Sequence, residues 1–237
     1  MFNLINVKEL VLDILFPPLC LSCQNILPKQ SDKTICGECL SKIQIHTTLF
    51  CPICRLRLAD NKKVCHKETK YLLAAATNYN NEVVKNLIHY FKYKSWSKLQ
   101  KPLGDILLRY LQILNLQLEN YLIIPIPLSR DRQKERGFNQ SLLLAKLVAD
   151  NYQCGLIDNA LKRIKNTKIQ AELKDFEDRR QNVENCFSID RPELIKDKNI
   201  ILVDDVYTSG ATINEAAKIL RAHGARKIIA LVVAKAG

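Results

Sequence analysis

The chain has 237 residues, 47% of them hydrophobic and 25% charged, and it carries a formal net charge of +12. These values are typical of a globular protein with one α/β domain and a small second module, and they argue against a disordered chain. No run of 18 apolar residues occurs, so we expect no membrane span. The positive charge suits phosphorylated small molecules or nucleic acid, although basic proteins without such a partner are also common.

A short amphipathic helix is predicted at the start of the chain, because apolar residues between Leu4 and Ile14 recur at helical spacing. A secretory signal peptide is the alternative. Three charged residues, Lys8, Glu9 and Asp13, interrupt the apolar run, and no small-residue cleavage site follows it. We therefore expect a cytoplasmic protein.

The next stretch is rich in cysteine, with seven of the nine cysteines before residue 66. Cys20 and Cys23 form one C-x-x-C pair, Cys36 and Cys39 form a second, and 12 residues separate the pairs. Two such turns can supply four thiolates to one tetrahedral zinc ion, which leaves no open coordination position. Disulfide bonds are the alternative, but the lack of a secretory signal favours a reducing compartment. We predict a structural zinc site.

A second zinc site would need one ligand that is not cysteine. Cys51 and Cys54 form a third C-x-x-C pair, and Cys65 follows after ten residues. Glu68 stands where a fourth cysteine would complete the set, and His46 precedes the third pair. His66, next to Cys65, is the candidate fourth ligand, although adjacent ligands are geometrically awkward. The alternative is a ribbon that packs without this metal.

Strands and helices begin to alternate near residue 71. Residues 71–79 suit a strand or a helix, and helices are predicted around 83–91 and over 99–118. Five lysines and no acidic residue lie between Val83 and Gly104, interleaved with aromatic residues. Lysines with stacking aromatics are typical of single-stranded nucleic-acid binding. A helix with a core face and a solvated lysine face is the alternative.

A buried strand is predicted at Tyr121–Ile124, and a cationic segment from Leu128 to Arg136 follows it. The candidate anion-binding residues of this segment are Ser129, Arg130, Arg132, Lys134 and Arg136. Arginine suits the forked geometry of phosphate oxygens, so a second anionic group is expected here. Asn139 or Ser141 is predicted to cap the next helix.

The segment from Lys162 to Arg180 holds seven basic residues and few strongly apolar ones. It is interpreted as a flap or hairpin, with a solvated loop as the alternative. Strands are predicted at Val183–Ile189 and Lys227–Val233. Alternating strands and helices in this order predict an α/β fold with a doubly wound parallel sheet.

The most informative stretch starts with a buried-type strand, Ile200–Val203. Asp204 and Asp205 follow, then a turn rich in hydroxyl and small residues that leads into an amphipathic helix. The turn comprises Thr208, Ser209, Gly210, Ala211 and Thr212. A helix N-terminus suits a phosphate, and two carboxylates suit a vicinal diol, so the pattern describes a ribose 5-phosphate. A polar turn without a ligand is the alternative.

This string resembles the phosphoribosyl-pyrophosphate (PRPP) signature of type I phosphoribosyltransferases, a hydrophobic strand followed by D-D-x-x-T-[ST]-G-x-T. The whole chain resembles the ComF family of competence-associated proteins, which are related to amidophosphoribosyltransferases. The motifs that carry this resemblance are the cysteine pairs, the run Arg136-Gly-Phe-Asn-Gln140, and the series Arg163, Gln170, Arg179, Asn182 and Phe187. Ser209 replaces the more usual second threonine, and Glu68 replaces a ribbon cysteine.

The resemblance implies a type I phosphoribosyltransferase fold over residues 69–237 behind a zinc-ribbon module over residues 1–68. It implies that the turn at 208–212 holds the 5-phosphate of PRPP, that Asp204 and Asp205 hold the ribose hydroxyls, and that the loop from Leu128 to Arg136 faces the pyrophosphate with Mg²⁺. Arg163, Gln170 and Arg179 would belong to the flap that closes the site.

Three functions follow as hypotheses. The first is an Mg²⁺-dependent phosphoribosyltransferase acting in DNA uptake, together with other competence proteins. The second is a non-catalytic PRPP sensor that binds single-stranded DNA. The third is a zinc-ribbon interaction module on an inactive scaffold.

Overall fold

The computed structural model describes residues 16–28, 34–59, 65–93, 96–165 and 181–237. The predicted N-terminal helix lies outside these residues. The helices, in chain order, are α1 (Gly37–Ser41), α2 (Glu82–Tyr93), α3 (Gln100–Leu114), α4 (Arg130–Arg136), α5 (Gln140–Tyr152) and α6 (Ala211–Ala222). The strands are β1 (Leu72–Asn78), β2 (Tyr121–Pro125), β3 (Gly155–Leu156), β4 (Leu161–Arg163), β5 (Phe187–Ile189), β6 (Asn199–Tyr207) and β7 (Lys227–Lys235). Short 3₁₀ turns lie at Ser97–Leu99 and Pro192–Leu194.

Five strands form one parallel sheet in the order β1-β7-β6-β2-β3. The chain leaves β6 through α6 towards β7 on one side, and leaves β2 through α5 towards β3 on the other. The crevice between the carboxyl ends of β6 and β2 is therefore the place where the winding direction changes. Ligands bind at such a position in open α/β sheets.

The sheet is buried on both faces, which explains its continuous apolar runs. On β6, Ile201 and Val203 pack with α2, α3 and α5, whereas Ile200 and Leu202 pack with α6. A two-stranded antiparallel ribbon, β4 with β5, joins the α6 side of this core. The predicted doubly wound parallel sheet is confirmed.

The cysteine-rich module is joined to the outer edge of the sheet through residues 44–50. Phe50 and Leu73 exchange backbone hydrogen bonds of 2.8 and 3.1 Å in an antiparallel bridge. His46 donates its backbone N–H to the carbonyl of Ala76 at 2.8 Å, and Thr77 Oγ1 donates to the carbonyl of Gln44 at 2.7 Å. These bonds satisfy backbone groups that an edge strand would otherwise expose.

Three local predictions differ from the structure. The helix predicted over 99–118 ends at Leu114, because Asn115 adopts a left-handed conformation with φ 46°. The strand predicted at Val183–Ile189 is limited to Phe187–Ile189, since Asn185 also has positive φ. The segment 128–136 is largely helical, because the Ser129 side chain accepts from the N–H of Arg132 and caps α4. Among the described residues, no helix has the length and apolar character that a membrane span requires.

Candidate functional site

Two carboxylates lie near the carboxyl end of β6 and have different partners. Asp204 Oδ1 accepts hydrogen bonds from Ser141 Oγ and from the backbone N–H of Asp205, both at 2.9 Å. Asp205 Oδ1 forms an ion pair with Lys92 Nζ at 2.7 Å. The Asp205 side chain is buried, so this ion pair is shielded from bulk water.

The charge of Asp205 affects the ionisation of Asp204. Burial and the neighbouring charge of Asp205 raise the pKa of Asp204 to about 6, while Lys92 and the two hydrogen bonds to Asp204 oppose this shift. Ionised oxygens are strong acceptors for hydroxyl donors such as those of a sugar. The pair is therefore suited to bind a diol above pH 6.

The turn after β6 brings the start of α6 to the same place. Gly210 precedes α6 with a φ of 80°, and a Cβ built on it would lie 2.3 Å from the hydroxyl oxygen of Tyr207. Only glycine fits this position without strain. Ser209 turns inward, where its Oγ accepts from the N–H of Ala211 at 3.3 Å. Thr208 and Thr212 line the cavity in front of the helix N-terminus, a favourable environment for a phosphate.

Three arginines come from two other elements. Arg132 and Arg136 lie one turn apart on α4, and Arg163 ends β4. All three arginines line the same cavity, and the pKa of Arg132 is lowered by burial and then by the charges of Arg163 and Arg136. Arg130 and Lys134, on the opposite face of α4, are exposed and do not line the cavity. Gln170 and Arg179 lie outside the described residues.

Arg136 is held without an acidic partner among the described residues. Its side chain donates from Nη1 to Gln140 Oε1 at 3.1 Å and lies over the ring of Tyr93 at 5.4 Å. Its Nε is buried and has no hydrogen-bond partner in the described part of the chain. A buried guanidinium of this kind favours an anionic ligand, because an unmatched buried donor is costly.

These groups enclose one cavity of about 370 Å³. Its polar lining combines two carboxylates, four cationic side chains and the first turn of α6. The residues concerned are Lys92, Arg132, Arg136, Arg163, Asp204, Asp205, Thr208, Gly210, Ala211 and Thr212. A ligand with a phosphate, a diol and a second anionic group matches this lining in chemistry.

The run Arg136-Gly-Phe-Asn-Gln140 has a structural explanation. Gly137 ends α4 with a φ of 77°, Phe138 packs on Phe91 with ring centroids 5.5 Å apart, and Asn139 caps α5 by accepting from the N–H of Ser141 at 3.0 Å. The motif therefore joins two helices tightly. It thereby places Arg136 and Ser141 on the same cavity.

Sequence reasoning did not assign Lys92 and Ser141 to the site. Lys92 belonged to a lysine-rich helix that suggested a solvated face or a nucleic-acid surface, but the structure turns it inward onto Asp205. The available signal was its position directly after Phe91, on the border of the buried face of α2. For Ser141, the sequence indicates only a possible helix cap.

The first cysteine cluster brings together Cys20, Cys23, Cys36 and Cys39. Their sulfur atoms all lie within 4.8 Å of one another, and the sulfur atoms of Cys23 and Cys36 are 3.7 Å apart. Tetrahedral zinc with bonds of about 2.3 Å needs sulfur separations of about 3.8 Å. No disulfide links these residues, and the donor set fits a structural zinc ion.

The second cluster consists of Cys51, Cys54, Cys65 and His66, again with all donor atoms within 4.8 Å. His66 Nδ1 lies 3.4 Å from Cys51 Sγ and 3.2 Å from Cys65 Sγ. The side chains of Cys65 and His66 thus both reach the candidate metal position, although adjacent residues rarely have the geometry to bind one ion together. This donor set also fits zinc, with histidine as the fourth ligand.

A five-stranded parallel sheet, with an acidic pair and a hydroxyl-rich turn at its central strand end, defines a phosphoribosyltransferase-type domain. The phosphoribosyl transferase domain family matches residues 139–237, and the double zinc ribbon domain family matches residues 11–68. The two metal clusters lie within the second match.

Three relatives are similar to this chain over most of its length. Competence protein F of Haemophilus influenzae is 30% identical over 217 residues, covering 89% of this chain and 87% of the relative. Competence protein ComFC of Bacillus subtilis is 27% identical, covering 81% and 80%. DNA utilization protein YhgH of Escherichia coli O157:H7 is 30% identical, covering 84% and 83%. The chain belongs to the ComF family of competence proteins, which confirms the family resemblance.

Proposed function

We propose that this protein binds PRPP in the cavity at the end of β6. The 5-phosphate lies against the turn 208–212, the ribose hydroxyls donate to Asp204 and Asp205, and the pyrophosphate lies among Arg132, Arg136 and Arg163. The observation that carries the proposal is that an acidic pair, a helix N-terminus and three arginines line one cavity. Ser129 caps α4 and so supports the helix that carries Arg132 and Arg136, whereas Arg130 and Lys134 add positive charge on its exposed face.

Mg²⁺ is proposed to enter with the ligand. It would be held by oxygens of the ligand, since this hard cation keeps several waters and prefers substrate phosphates to an all-protein cage. Zinc at the two cysteine clusters stabilises the module, which we propose to extend over residues 1–68, with the phosphoribosyltransferase domain over 69–237.

If the ligand turns over, the bond between C1 and the pyrophosphate oxygen breaks and an acceptor nucleophile forms the new bond to C1. Positive charge builds on the ribose ring, close to Asp204 and Asp205, and the three arginines stabilise the departing pyrophosphate. The proposed flap at 162–180, which would exclude water, begins in β4 and lies mostly outside the described residues. The relatives are named for competence and DNA utilization, which supports a role of the proposed chemistry in DNA uptake.

Calorimetry with PRPP and Mg²⁺ tests the proposal. Wild-type protein is expected to bind, and Asp204→Asn/Asp205→Asn is expected to lose at least tenfold in affinity. Asp150→Asn, on the exposed side of α5, is the matched control. No binding by the wild type contradicts the proposal, and continuous pyrophosphate release with a cell extract as acceptor source distinguishes an enzyme from a sensor.

Single-stranded DNA binding is a second candidate function, and one surface favours it. Trp96 is 49% exposed and Tyr93 is 42% exposed, and the rings of Tyr90 and Trp96 lie 5.7 Å apart. Exposed aromatic faces on a protein with net charge +12 suit the stacking of unpaired bases. Lys92 does not contribute, because it is paired with Asp205.

The single tryptophan makes this candidate easy to test. Adding an oligothymidylate is expected to quench Trp96 fluorescence, with an affinity that falls steeply as salt is raised. Tyr93→Ala should weaken binding, whereas Tyr152→Ala, on α5, should not. Unchanged fluorescence and no mobility shift at low salt would exclude this function, whereas the proposed PRPP binding would be unaffected.

A further inference from the structure

Lys92 is a cationic side chain of the cavity lining that has a carboxylate partner within salt-bridge distance. It lies in the last turn of α2, and its Nζ is 2.7 Å from Asp205 Oδ1. Gln140 fixes this turn, because its Nε2 donates to the carbonyl of Phe91 at 3.3 Å. The same Gln140 accepts from Arg136, so Lys92 and Arg136 are held by a common residue.

The electrostatic surroundings place Lys92 between the two halves of the cavity. Burial and the charge of Arg136 lower the pKa of Lys92. The charge and hydrogen bond of Asp205, together with the charge of Asp204, raise it by more, so the net shift is upward. Lys92 therefore interacts with the acidic pair on one side and with an arginine of α4 on the other. In the proposed binding mode, C1 of the ribose lies between these two sides.

We propose that Lys92 is a specificity-determining residue that makes the site prefer a ribose 5-phosphate carrying an anionic group on C1. It pairs with Asp205 while the cavity holds no anion, and it donates to the C1-linked phosphate oxygens when such a ligand is bound. The inference rests on the proposed PRPP-binding function, because it uses the same orientation of the ligand.

The chemistry of the two partners allows this exchange. An ammonium group has three donors and a carboxylate has about four acceptor positions, so Lys92 can keep one bond to Asp205 while the ribose hydroxyls use the others. Its remaining donors then point into the half of the cavity that contains Arg136. Ribose 5-phosphate has no anion there, and so gains nothing from Lys92.

The expected size of the effect follows from the kind of hydrogen bond. Hydrogen bonds to charged groups contribute enough to change affinity by about 10- to 100-fold. Lys92→Met is therefore expected to reduce the affinity for PRPP and for inorganic pyrophosphate, each measured with Mg²⁺, by that factor. Its effect on ribose 5-phosphate should stay below about threefold, since that ligand makes no contact with Lys92.

The experiment is calorimetry on the full-length, zinc-loaded protein with PRPP, inorganic pyrophosphate and ribose 5-phosphate. Lys85→Met, on the exposed face of the same helix, is the matched control and should leave all three affinities unchanged. Because Lys92→Met leaves Asp205 without its partner, a thermal melt checks folding. Lys92→Gln, which keeps a donor for Asp205 but no charge, provides the same comparison if the methionine variant does not fold.

The inference is supported if Lys92→Met loses most of the wild-type difference in affinity between PRPP and ribose 5-phosphate. Equal losses of affinity for both ligands would identify Lys92 as a purely structural residue, and unchanged affinities would show that it takes no part in binding. Either result overturns the inference while PRPP binding by the wild type stands. If the wild type binds neither sugar phosphate, the proposed function fails, and the inference fails with it.

Discussion

The hydroxyl of Tyr207 donates a hydrogen bond to the backbone carbonyl of Pro52, 3.2 Å away. Pro52 lies between Cys51 and Cys54 of the second metal cluster, and Tyr207 ends β6 just before the proposed phosphate turn. The Tyr207 hydroxyl also lies 3.2 Å from that of Tyr71. The geometry of the metal-binding module is thus connected to the geometry of the ligand site through one buried side chain.

Tyr207→Phe removes this connection while keeping the ring. We expect PRPP affinity to fall about fivefold, since a neutral hydrogen bond contributes about 1 kcal/mol, and the melting temperature to fall by about 2–4 °C. Calorimetry and a thermal melt measure the two effects. Tyr152→Phe, which removes a hydroxyl on α5 outside this network, should change neither, and a Tyr207→Phe protein with wild-type affinity would show that the connection has no effect on binding.

Gly210→Ala should abolish PRPP binding. The residue has a φ of 80°, and the added Cβ would lie 2.3 Å from the Tyr207 hydroxyl oxygen, so the turn must move. Gly137→Ala is the matched control, because Gly137 has a similar φ of 77° but no atom within 4 Å of the added Cβ. The control is expected to lose only about 1 kcal/mol of stability and to retain binding. Equal behaviour of the two variants would contradict the steric argument.

Metal analysis should find two zinc ions per chain. His66→Ala should reduce this number to one, and His66→Cys should restore two, because a thiolate can replace the imidazole at the same position. Cys154→Ser is the control, since Cys154 belongs to neither cluster. A chelator should release the metal and lower the melting temperature, as expected for structural zinc. Two ions retained in His66→Ala would exclude His66 as a ligand.

Asp204→Asn should stabilise the protein at neutral and alkaline pH. The folded-state pKa of about 6 lies above the unfolded value of 3.8, so folding disfavours the charged form. The contribution of Asp204 to stability is therefore complete below pH 4 and is lost as the pH rises through 6. We expect a gain of about 3 kcal/mol for the variant at pH 8 and none at pH 4. Urea unfolding at both pH values measures it, and a variant less stable than wild type at pH 8 would contradict the shift.

The sequence predicted what depends on neighbouring residues. The strand, acidic pair and turn at 200–212 are consecutive, so their chemistry could be recognised directly. The first metal site was predicted from the spacing of Cys20, Cys23, Cys36 and Cys39. The parallel sheet followed from the order of strands and helices. These features need no knowledge of distant contacts.

What the sequence did not reveal depends on tertiary packing. The pairing of Lys92 with Asp205 joins residues far apart in the chain, and a lysine in a basic helix carries no local sign of it. The cations of α4 looked equivalent in sequence, yet helical geometry directs Arg132 and Arg136 into the cavity and leaves Arg130 and Lys134 exposed. The inward turn of Ser209 likewise becomes visible only with the first turn of α6 in place.

The position of β7 has a consequence for folding kinetics. This strand follows all others in the chain, yet it lies between β1, the first strand, and β6. The sheet therefore cannot assemble progressively along the chain. β1, which carries the cysteine-rich module on its outer edge, can pair only after β7 has been brought to it from far along the sequence. Such topologies fold slowly, so partly assembled forms should persist long enough to be detected in refolding experiments.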